Sequence, residues 1–315
     1  MTRKFTNQRG VSLIELMISL TIGVILILAT MVTYLGSATA SRMAEAQGRM
    51  NEDAYAALNL LSQQLRMAGN NPVQPNRPVQ SPTNPVYDTT DYFLRGCNHT
   101  FSNVTSATSL SALTCSTASG TDTHSISVNY EADKYNTVAL SSGQPTDCLG
   151  NGVTATSSTG TTVSGTSTVT STVTYYVAEN RFYIGTSTAV VNPSLYCKGN
   201  GGAAQPLVEN VEDLKLSYGT IPATGTSTAV VGYVDAATLL TQTDLAALPD
   251  DPTRWSRVMT VRICILMRSE SPVVDTIASA AYLDCSNNLI TNPPDLRLRR
   301  AYSTTVVLRN RVNIN

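Results

Sequence analysis

The chain has 315 residues, of which 42% are hydrophobic and only 14% are charged, and its formal net charge is −1. A net charge so close to zero excludes a global basic field that would attract nucleic acid. The length suits two ordinary domains or one large β-rich domain, and low charge with abundant serine, threonine and asparagine favours an extracytoplasmic β-protein over a cytosolic helical enzyme.

The first predicted element is a long apolar segment behind a short basic terminus. Residues 1–10 contain Arg3, Lys4 and Arg9 but no acidic residue, and no charge occurs between Leu16 and Ser41. This uncharged run exceeds the ~20 residues that span a bilayer. Because a cationic flank keeps the N-terminus in the cytoplasm, the rest of the chain is expected in the periplasm or beyond.

Glu15 does not fit a plain single-pass anchor or an ordinary secretory signal. A secretory signal has an apolar region of roughly 7–15 residues before a small-residue cleavage site. The run here is longer, although GSATA at 36–40 does supply small residues. Because a carboxylate in the membrane costs on the order of 3 kcal/mol and is usually paired or functional, Glu15 indicates a function beyond anchoring.

The apolar pattern continues beyond the uncharged run as one face of a helix. Apolar residues recur every three or four positions, and Glu45 with Arg49 forms a favourable i,i+4 pair on another face. The first proline of the chain is Pro72, so we predict one helix from 11 to about 68 that ends at Gly69. The stripe consists of Met43, Ala46, Met50, Ala54, Leu58, Leu61, Leu65 and Ala68.

Residues 9–28, RGVSLIELMISLTIGVILIL, contain a specific combination: a glycine, a carboxylate five residues later and a long apolar run after it. The positions concerned are Gly10, Ser12, Leu13, Ile14 and Glu15. They resemble the class III signal of type IV prepilins and of type II secretion pseudopilins. Val11 departs from the phenylalanine, or sometimes methionine, that such proteins usually have after the glycine.

The resemblance implies a fate for each of these residues. A membrane aspartyl peptidase would cut after Gly10 and methylate the new amino group of Val11. Glu15 of one subunit would then meet the N-terminal ammonium of a neighbour, and each charge would offset the desolvation of the other. We therefore expect Gly10 and Val11 to form the cleavage site and Glu15 to act in assembly.

Four blocks beyond the signal extend the resemblance. They are LRMAGNN after the predicted helix, LVENVEDLKLSYG at 207–219, RWSRVMTVRICILMRS at 254–269 and RRAYSTTVVLRNR at 299–311. Together they are similar to the PilW family of large minor pilins. The pseudopilin GspJ shares the middle pattern, but it is typically much shorter and lacks loop-rich insertions.

The expected fold is α+β and type IV pilin-like, with the long N-terminal helix packed on an antiparallel β-sheet domain with long loops. The first half of the helix would be transmembrane. The expected divisions are a leader at 1–10, a transmembrane half of the helix at 11–36, an amphipathic half at 37–69 and a β-rich periplasmic domain at 70–315.

Strand-like runs mix β-branched and aromatic residues at 125–130, 171–184, 211–219, 258–267 and 302–310. The run at 171–184 predicts a hairpin that turns near Glu179 and Asn180. The serine- and threonine-rich segment at 153–174 is compatible with a flexible loop, a glycosylated patch or an edge hairpin.

Six cysteines lie beyond the apolar segment. They are Cys97, Cys115, Cys148, Cys197, Cys264 and Cys285. None belongs to a CxxC pair, which disfavours zinc and thioredoxin-like sites, and an even number in a translocated domain favours disulfides. We expect each cysteine to pair with its neighbour in sequence, with partly free, buried thiols as the alternative.

The sequence contains no recognisable catalytic constellation. His99 and His124 lie in polar, turn-like surroundings outside any HExxH motif, and both are expected to be solvated. Neither a GxSxG motif nor a phosphate-binding GxxxxGK[ST] motif occurs. We therefore predict a non-enzymatic protein with no cofactor and no metal site.

Loop carboxylates and arginines are the remaining candidates for binding. Two carboxylate pairs could ligate calcium in loops, but solvated surface carboxylates are favoured; the pairs are Asp88 with Asp91 and Asp250 with Asp251. Five C-terminal arginines could contact DNA, but a solvated strand face is favoured; they are Arg297, Arg299, Arg300, Arg309 and Arg311. Trp255 is expected in the core or at its rim.

The predicted function is that of a minor pilin in a Gram-negative type IV pilus, which helps initiate assembly and sits at or near the tip. The resemblance implies as partners other minor pilins, the major pilin, the prepilin peptidase, the inner-membrane assembly platform and a large tip adhesin. The chain would cross the inner membrane once before assembly and lie on the pilus afterwards. The alternatives are a type II secretion pseudopilin and a membrane-anchored binding module that never polymerises.

Overall fold

The computed structural model describes residues 10–70, 92–117, 123–164, 167–224, 227 and 229–311. The helices are α1 Leu13–Met67, α2 Ala236–Thr241, α3 Thr243–Ala246 and α4 Asp251–Trp255. The strands are β1 Leu94–Cys97, β2 Ser125–Ala132, β3 Ala155–Ser164, β4 Ser167–Gly185, β5 Ser194–Lys198, β6 Gln205–Glu209, β7 Val211–Thr220, β8 Gly232–Val234, β9 Val258–Arg268, β10 Tyr282–Leu283, β11 Leu289–Ile290 and β12 Arg299–Val307. Short 3-10 turns occur at Ala278–Ala280 and Arg309–Arg311.

Helix α1 is continuous for 55 residues and ends where the sequence predicts. Ser12 is the N-cap, with an extended backbone at ψ 142°. Gly69 takes a φ of 70°, the left-handed conformation that commonly follows a helix. The Gly69 amide donates a 2.9 Å hydrogen bond to the carbonyl of Asn129, which attaches the end of α1 to β2.

The C-terminal part of α1 packs on the domain, and the N-terminal part does not. The buried positions form one stripe: Met50, Ala54, Ala57, Leu58, Leu61, Ser62 and Leu65. Met43, at the start of the predicted stripe, is 37% exposed, so packing begins about two turns later than predicted. Each fully buried leucine of the stripe contributes roughly 1.5–3 kcal/mol relative to an exposed one.

The described strands form two main antiparallel sheets beside α1. The first has the order β1-β2-β4-β5-β6, with β3 paired to β4, and the second has the order β12-β9-β7-β8. Strands β10 and β11 form a separate hairpin. Apolar side chains from α1 and both sheets make one core, which confirms the predicted α+β, pilin-like arrangement of a long helix on antiparallel sheets.

Contacts along α1 define two ends of the domain. The Tyr302 hydroxyl donates to Asn51 Oδ1 at 2.5 Å, and Asn310 Nδ2 donates to the Arg66 carbonyl at 2.9 Å, so the chain from β12 onward runs in the direction of α1. We call the end near Met50, where the unpacked part of α1 leaves the domain, the anchor pole. The opposite end, near Met67, is the distal pole.

A buried polar network replaces the hairpin predicted at Glu179 and Asn180. β4 continues straight through both residues, so that prediction is wrong. The Asn180 side chain donates to Gln64 Oε1 at 2.8 Å and accepts a hydrogen bond from the Cys148 amide at 3.0 Å. Tyr130 also donates to Gln64. Asn180 therefore joins the sheet to α1 instead of forming a turn.

The six cysteines form three disulfides between sequence neighbours. Cys97–Cys115 ties the end of β1 to the following loop, Cys148–Cys197 ties the loop before β3 to β5, and Cys264–Cys285 ties β9 to the loop between β10 and β11. Each bond thus attaches a loop-rich segment to a sheet strand. No described cysteine is free.

His124 is buried, which corrects the expectation that it is solvated. Its side chain is 8% exposed, and Nδ1 accepts a 3.0 Å hydrogen bond from the Leu216 amide. Burial, followed by the charge of Lys215, lowers the pKa of His124 to about 4. The imidazole is therefore neutral near pH 7 and packs as part of the interface between β2 and β7.

Acidification is expected to destabilise the domain through His124. Between the ordinary pKa of 6.5 and the folded pKa of about 4, the unfolded state binds a proton that the folded state does not. Stability should therefore fall as the pH drops through this window, by at most about 3 kcal/mol. Chemical denaturation of the full chain in detergent, at the two ends of the window, measures the loss.

A His124→Asn variant is the control for this pH dependence, because asparagine keeps a hydrogen-bond acceptor but cannot be protonated in this range. Its unfolding free energy should vary less between the two pH values than that of the natural chain. An identical pH dependence in both proteins would assign the effect to other groups.

Candidate functional site

The unpacked part of α1 exposes a continuous apolar surface. Its large apolar side chains from Val11 to Leu35 are all more than half exposed, between 51% at Val24 and 80% at Leu13. The helix contains an 18-residue window with a mean hydropathy of 2.4, none of it buried, and is long and apolar enough to cross a membrane. A surface of this kind needs lipid or other helices to cover it.

Five hydroxyl side chains within this apolar part donate hydrogen bonds to carbonyls of the helix itself. The Ser19 hydroxyl donates to the Glu15 carbonyl at 2.7 Å, and Thr33 and Thr39 donate to carbonyls four residues earlier at 2.6 and 2.7 Å. Thr21 and Thr30 bond to carbonyls three residues earlier. These hydroxyls therefore bring no unsatisfied donor into an apolar environment.

Glu15 lies in the first turn of α1 and is exposed. Within the part of the chain that the structure describes, no side chain forms an ion pair with its carboxylate. A carboxylate at a helix N-terminus is favoured by the helix dipole, but this effect does not remove the cost of placing it in lipid. In lipid, the ionised carboxylate would therefore need a partner from outside the described residues.

The bond between Gly10 and Val11 lies immediately before the helix. Residues 10–12 are exposed and have no helical backbone, and the first helical residue is Leu13. A peptide bond outside a helix can be bound by a peptidase without the helical hydrogen bonds being broken. The predicted cleavage site, the new N-terminus and Glu15 thus occur together within six residues.

The other candidate residues are used for structure. Asp250 caps α4 by accepting a 2.8 Å hydrogen bond from the Thr253 amide, and Asp251 pairs with Arg254 at 3.1 Å. Among the described residues no group of three metal-ligating side chains occurs. Asp88 and Asp91 lie outside the described residues. Trp255 is 1% exposed and packs edge-on against Tyr218 in the core, and His99 is half-buried.

Arg299 corrects the expectation of arginines on a solvated strand face. Its side chain is 1% exposed and pairs with Glu212 at 2.6 Å and with Asp295 at 2.7 Å. These hydrogen bonds hold the guanidinium protonated, with its pKa raised above the ordinary value despite the opposing effect of burial. Arg300 and Arg309 are exposed, whereas the side chain of Arg311 lies outside the described part.

Comparisons with protein families match two parts of the chain. The model of the type IV pilus-assembly protein W family matches residues 181–310, and the model of the prokaryotic N-terminal methylation motif matches residues 5–31. Together these are the two matches expected of a PilW-family prepilin-like protein. Searches of curated proteins and of solved structures found no match.

The two matches correspond to different structural parts of this chain. The methylation motif covers Gly10, Val11, Glu15 and the apolar start of α1. The PilW match runs from the end of β4 through β12, and so contains the whole second sheet. The chain is therefore a pilin related to the type IV pilus, and its motif and apolar helix indicate membrane anchoring.

The sequence left the serine- and threonine-rich segment, which lies outside both matches, undecided among three possibilities. Residues 155–164 of β3 pair with residues 167–176 of β4 to form a β3–β4 ribbon, and the nearby loop exposes Tyr135 and Val138. The alternation of valine with threonine was a signal for strands, but serine and threonine dominate the segment and also suit a loop. An edge hairpin was one of three possibilities for this segment.

Proposed function

We propose that this PilW-family chain is a minor pilin that helps initiate type IV pilus assembly and sits at or near the pilus tip. The observation that carries the proposal is an unpaired Glu15 at the start of an exposed apolar helix, directly after a prepilin cleavage signal. Such a helix can leave the membrane only if neighbouring helices cover its apolar surface in place of the lipid. A cation also has to pair with the Glu15 carboxylate.

In this proposal residues 1–10 form the leader, 11–36 the transmembrane and assembly half of the helix, 37–69 its amphipathic half and 70–315 the periplasmic domain. The peptidase cuts after Gly10 and methylates Val11. Before assembly the chain crosses the inner membrane once, and after assembly it lies on the pilus. Its partners are the major pilin, other minor pilins, the assembly platform and a large tip adhesin.

The size of the domain supports a rare subunit over the repeating one. Long loops and the β3–β4 ribbon extend beyond the sheets that pack on α1, and such projections hinder regular packing in a thin filament. The PilW match favours a pilus over a type II secretion system. The role is structural, because the residues singled out act by packing and charge pairing, with no cofactor involved.

Mass spectrometry of sheared pili tests the proposal. The chain should be present with Val11 as its N-terminus, carrying one methyl group, and should be far less abundant than the major pilin. A mature chain that retains residues 1–10 would contradict prepilin processing. A chain that forms the most abundant band would be a major pilin.

Samples of the membrane fraction from cells that lack the prepilin peptidase provide the control. There the N-terminus should be that of the full chain, and the sheared fraction should contain none of it. Recovery of the chain in pili without cleavage would mean that processing at Gly10 is not needed for assembly.

A further inference from the structure

A cavity of about 400 Å³ lies at the anchor pole beside α1. One wall is the stretch of α1 from Arg42 to Asp53, and the other contains Asn210 and residues of the segment 268–273 at the end of β9 and after it. At this level α1 leaves the domain towards its apolar half. We call this space the anchor cavity.

Asp53 is the carboxylate of the anchor cavity that has no ion-pair partner in the described part of the chain. Arg49 is already shared between two other carboxylates, because it pairs with Glu45 at 2.8 Å and with Glu270 at 3.5 Å. Arg42 also lines the cavity, but it lies three turns nearer the membrane, about 16 Å along α1. Asp53 is therefore open to a cation from outside this chain.

Further carboxylates make the surroundings of Asp53 acidic. Burial raises the pKa of Asp53, and the charges of Glu52, Glu209 and Glu270 raise it further, whereas Arg49 opposes the shift. A carboxyl pKa that is raised in this way shows that the ionised form lacks compensation by cations. Glu52 belongs to α1 and Glu209 to the end of β6, so the excess negative charge comes from both sides of the cavity.

A buried acceptor in the wall of the anchor cavity lacks a donor. Asn210 is 9% exposed and takes a φ of 60° between β6 and β7, where its carbonyl accepts a 3.0 Å hydrogen bond from the Arg268 amide. Among the residues that the structure describes, no group donates to its Oδ1. Buried polar atoms without a partner are uncommon and unfavourable, so a donor bound in the cavity would satisfy Asn210.

The anchor cavity also has apolar walls, which distinguish between possible cations. Met50, Pro272 and Val273 line it together with the polar groups. A lysine or arginine side chain has a charged head on an apolar stem, so its stem would pack on these residues while its head meets Asp53. A metal ion would gain nothing from apolar walls, and no group of three metal-ligating side chains occurs within the described ranges.

The distance from the membrane separates a protein partner from a lipid headgroup. If residues 16–35 fill a hydrocarbon core of about 30 Å, Asp53 lies 18 residues beyond it, or about 27 Å along α1. The headgroup layer on each side is only about 5–8 Å thick. The ammonium of a lipid therefore does not reach Asp53, whereas a second helix beside α1 passes the anchor cavity.

We propose that the anchor cavity binds a lysine or arginine side chain of a different pilin subunit, with the charged head on Asp53 and Asn210 Oδ1. The inference rests on the proposed function, because helices that cover α1 from Val11 to Leu35 run beside it at about 8–10 Å. The subunit is of another kind because a rare chain has few neighbours of its own kind. This contact lies about 57 Å from Glu15 along α1, so the two carboxylates together fix the register of the neighbour.

Photocrosslinking in whole cells tests the site with the full membrane-anchored chain. The photoreactive residue p-benzoylphenylalanine replaces Ser271, which is exposed and lines the anchor cavity, or Thr305, which is exposed on β12 and serves as the control. Mass spectrometry of the Ser271 adducts should identify a segment of another pilin that contains lysine or arginine. The yield at Ser271 should exceed that at Thr305 by about tenfold.

Matched variants separate charge pairing from simple proximity. Asp53→Asn removes the charge but keeps the shape, and it should lower the yield at Ser271 about tenfold, which corresponds to ~1.4 kcal/mol. Asp53→Glu keeps the charge and should retain the adducts. Glu52→Gln removes the neighbouring charge, which does not line the cavity, and should leave the yield close to that of the natural chain. Equal thermal unfolding of the variants verifies that the domain remains folded.

Three kinds of result would overturn the proposal: adducts that persist in Asp53→Asn, a yield at Ser271 no higher than at Thr305, or adducts formed only with lipid, with a second copy of this chain or with segments that lack a basic residue. If one of them occurs while the processed chain is still found in sheared pili, the minor-pilin proposal stands without the cavity contact. If Asp53-dependent adducts with another pilin form in the membrane but the chain is never found in sheared pili, the minor-pilin proposal fails and the cavity contact remains.

Discussion

Replacing Glu15 with leucine is expected to reduce the amount of this chain in sheared pili by at least about tenfold, while cleavage after Gly10 continues. The carboxylate has no ion-pair partner within the described residues, and in lipid it costs on the order of 3 kcal/mol. Leucine removes this cost, so the helix is held more firmly by the membrane. It also removes the charge that an ammonium of a neighbouring subunit would meet.

The measurement separates assembly from processing. Mass spectrometry of the membrane fraction reports whether the chain begins at Val11, and quantitative blotting of sheared pili reports how much is incorporated. Glu52→Leu is a matched control, because Glu52 is exposed on the packed half of α1, outside the apolar segment. Incorporation of the Glu15 variant at the natural level would exclude charge pairing as the reason for this residue.

Features encoded in short stretches were predicted correctly from the sequence. The long helix follows from a spacing repeated over many turns, and its end follows from Gly69 and the first proline of the chain. The cleavage signal is also local, because Gly10, Val11 and Glu15 lie within six residues. The methylation-motif match at residues 5–31 covers the same segment, although the roles of the individual residues stay predictions.

Two polar side chains with distant partners were mispredicted. Asn180 looked like a turn residue, but it contacts Gln64, which lies 116 residues away. His124 looked solvated, but it accepts a hydrogen bond from Leu216, 92 residues away. A local pattern contains no information about such partners, so polar residues were assigned to turns and surfaces by default.

The lack of information about distant partners also explains why the surroundings of Arg299 and the register of the β3–β4 ribbon were not predicted. Arg299 pairs with Glu212, 87 residues away, and a strand pattern alone cannot distinguish a buried ion pair from a solvated cation. Serine and threonine dominate the ribbon, so its register could not be read from the sequence. The register became visible only when the pairing of β3 with β4 was known.

Removing the Cys148–Cys197 disulfide is expected to lower the free energy of unfolding by about 4 kcal/mol, compared with about 3 kcal/mol for Cys264–Cys285. The first bond closes a separation of 49 residues and the second one of 21. A longer closed loop restricts the unfolded chain more, so its loss releases more entropy.

Contacts in the folded state also predict a larger loss of stability for Cys148–Cys197 than for Cys264–Cys285. Cys197 is fully buried, and the Cys148 amide donates to Asn180 Oδ1, within the network that joins β4 to α1. Losing the first bond therefore loosens a loop that satisfies a buried side chain, and an unsatisfied buried acceptor costs about 1–3 kcal/mol. Cys264 and Cys285 are only half-buried, and their bond holds the loop between β10 and β11 at the surface.

Double alanine variants of each pair, prepared as the full chain in detergent, allow the comparison by urea denaturation. The order of the two unfolding free energies is the decisive result, because both variants lose one bond and differ in loop length and burial. An equal loss for the two pairs would mean that neither loop length nor the Asn180 contact controls stability. A larger loss for Cys264–Cys285 would instead identify the second sheet and its surface hairpin as the part on which the domain depends.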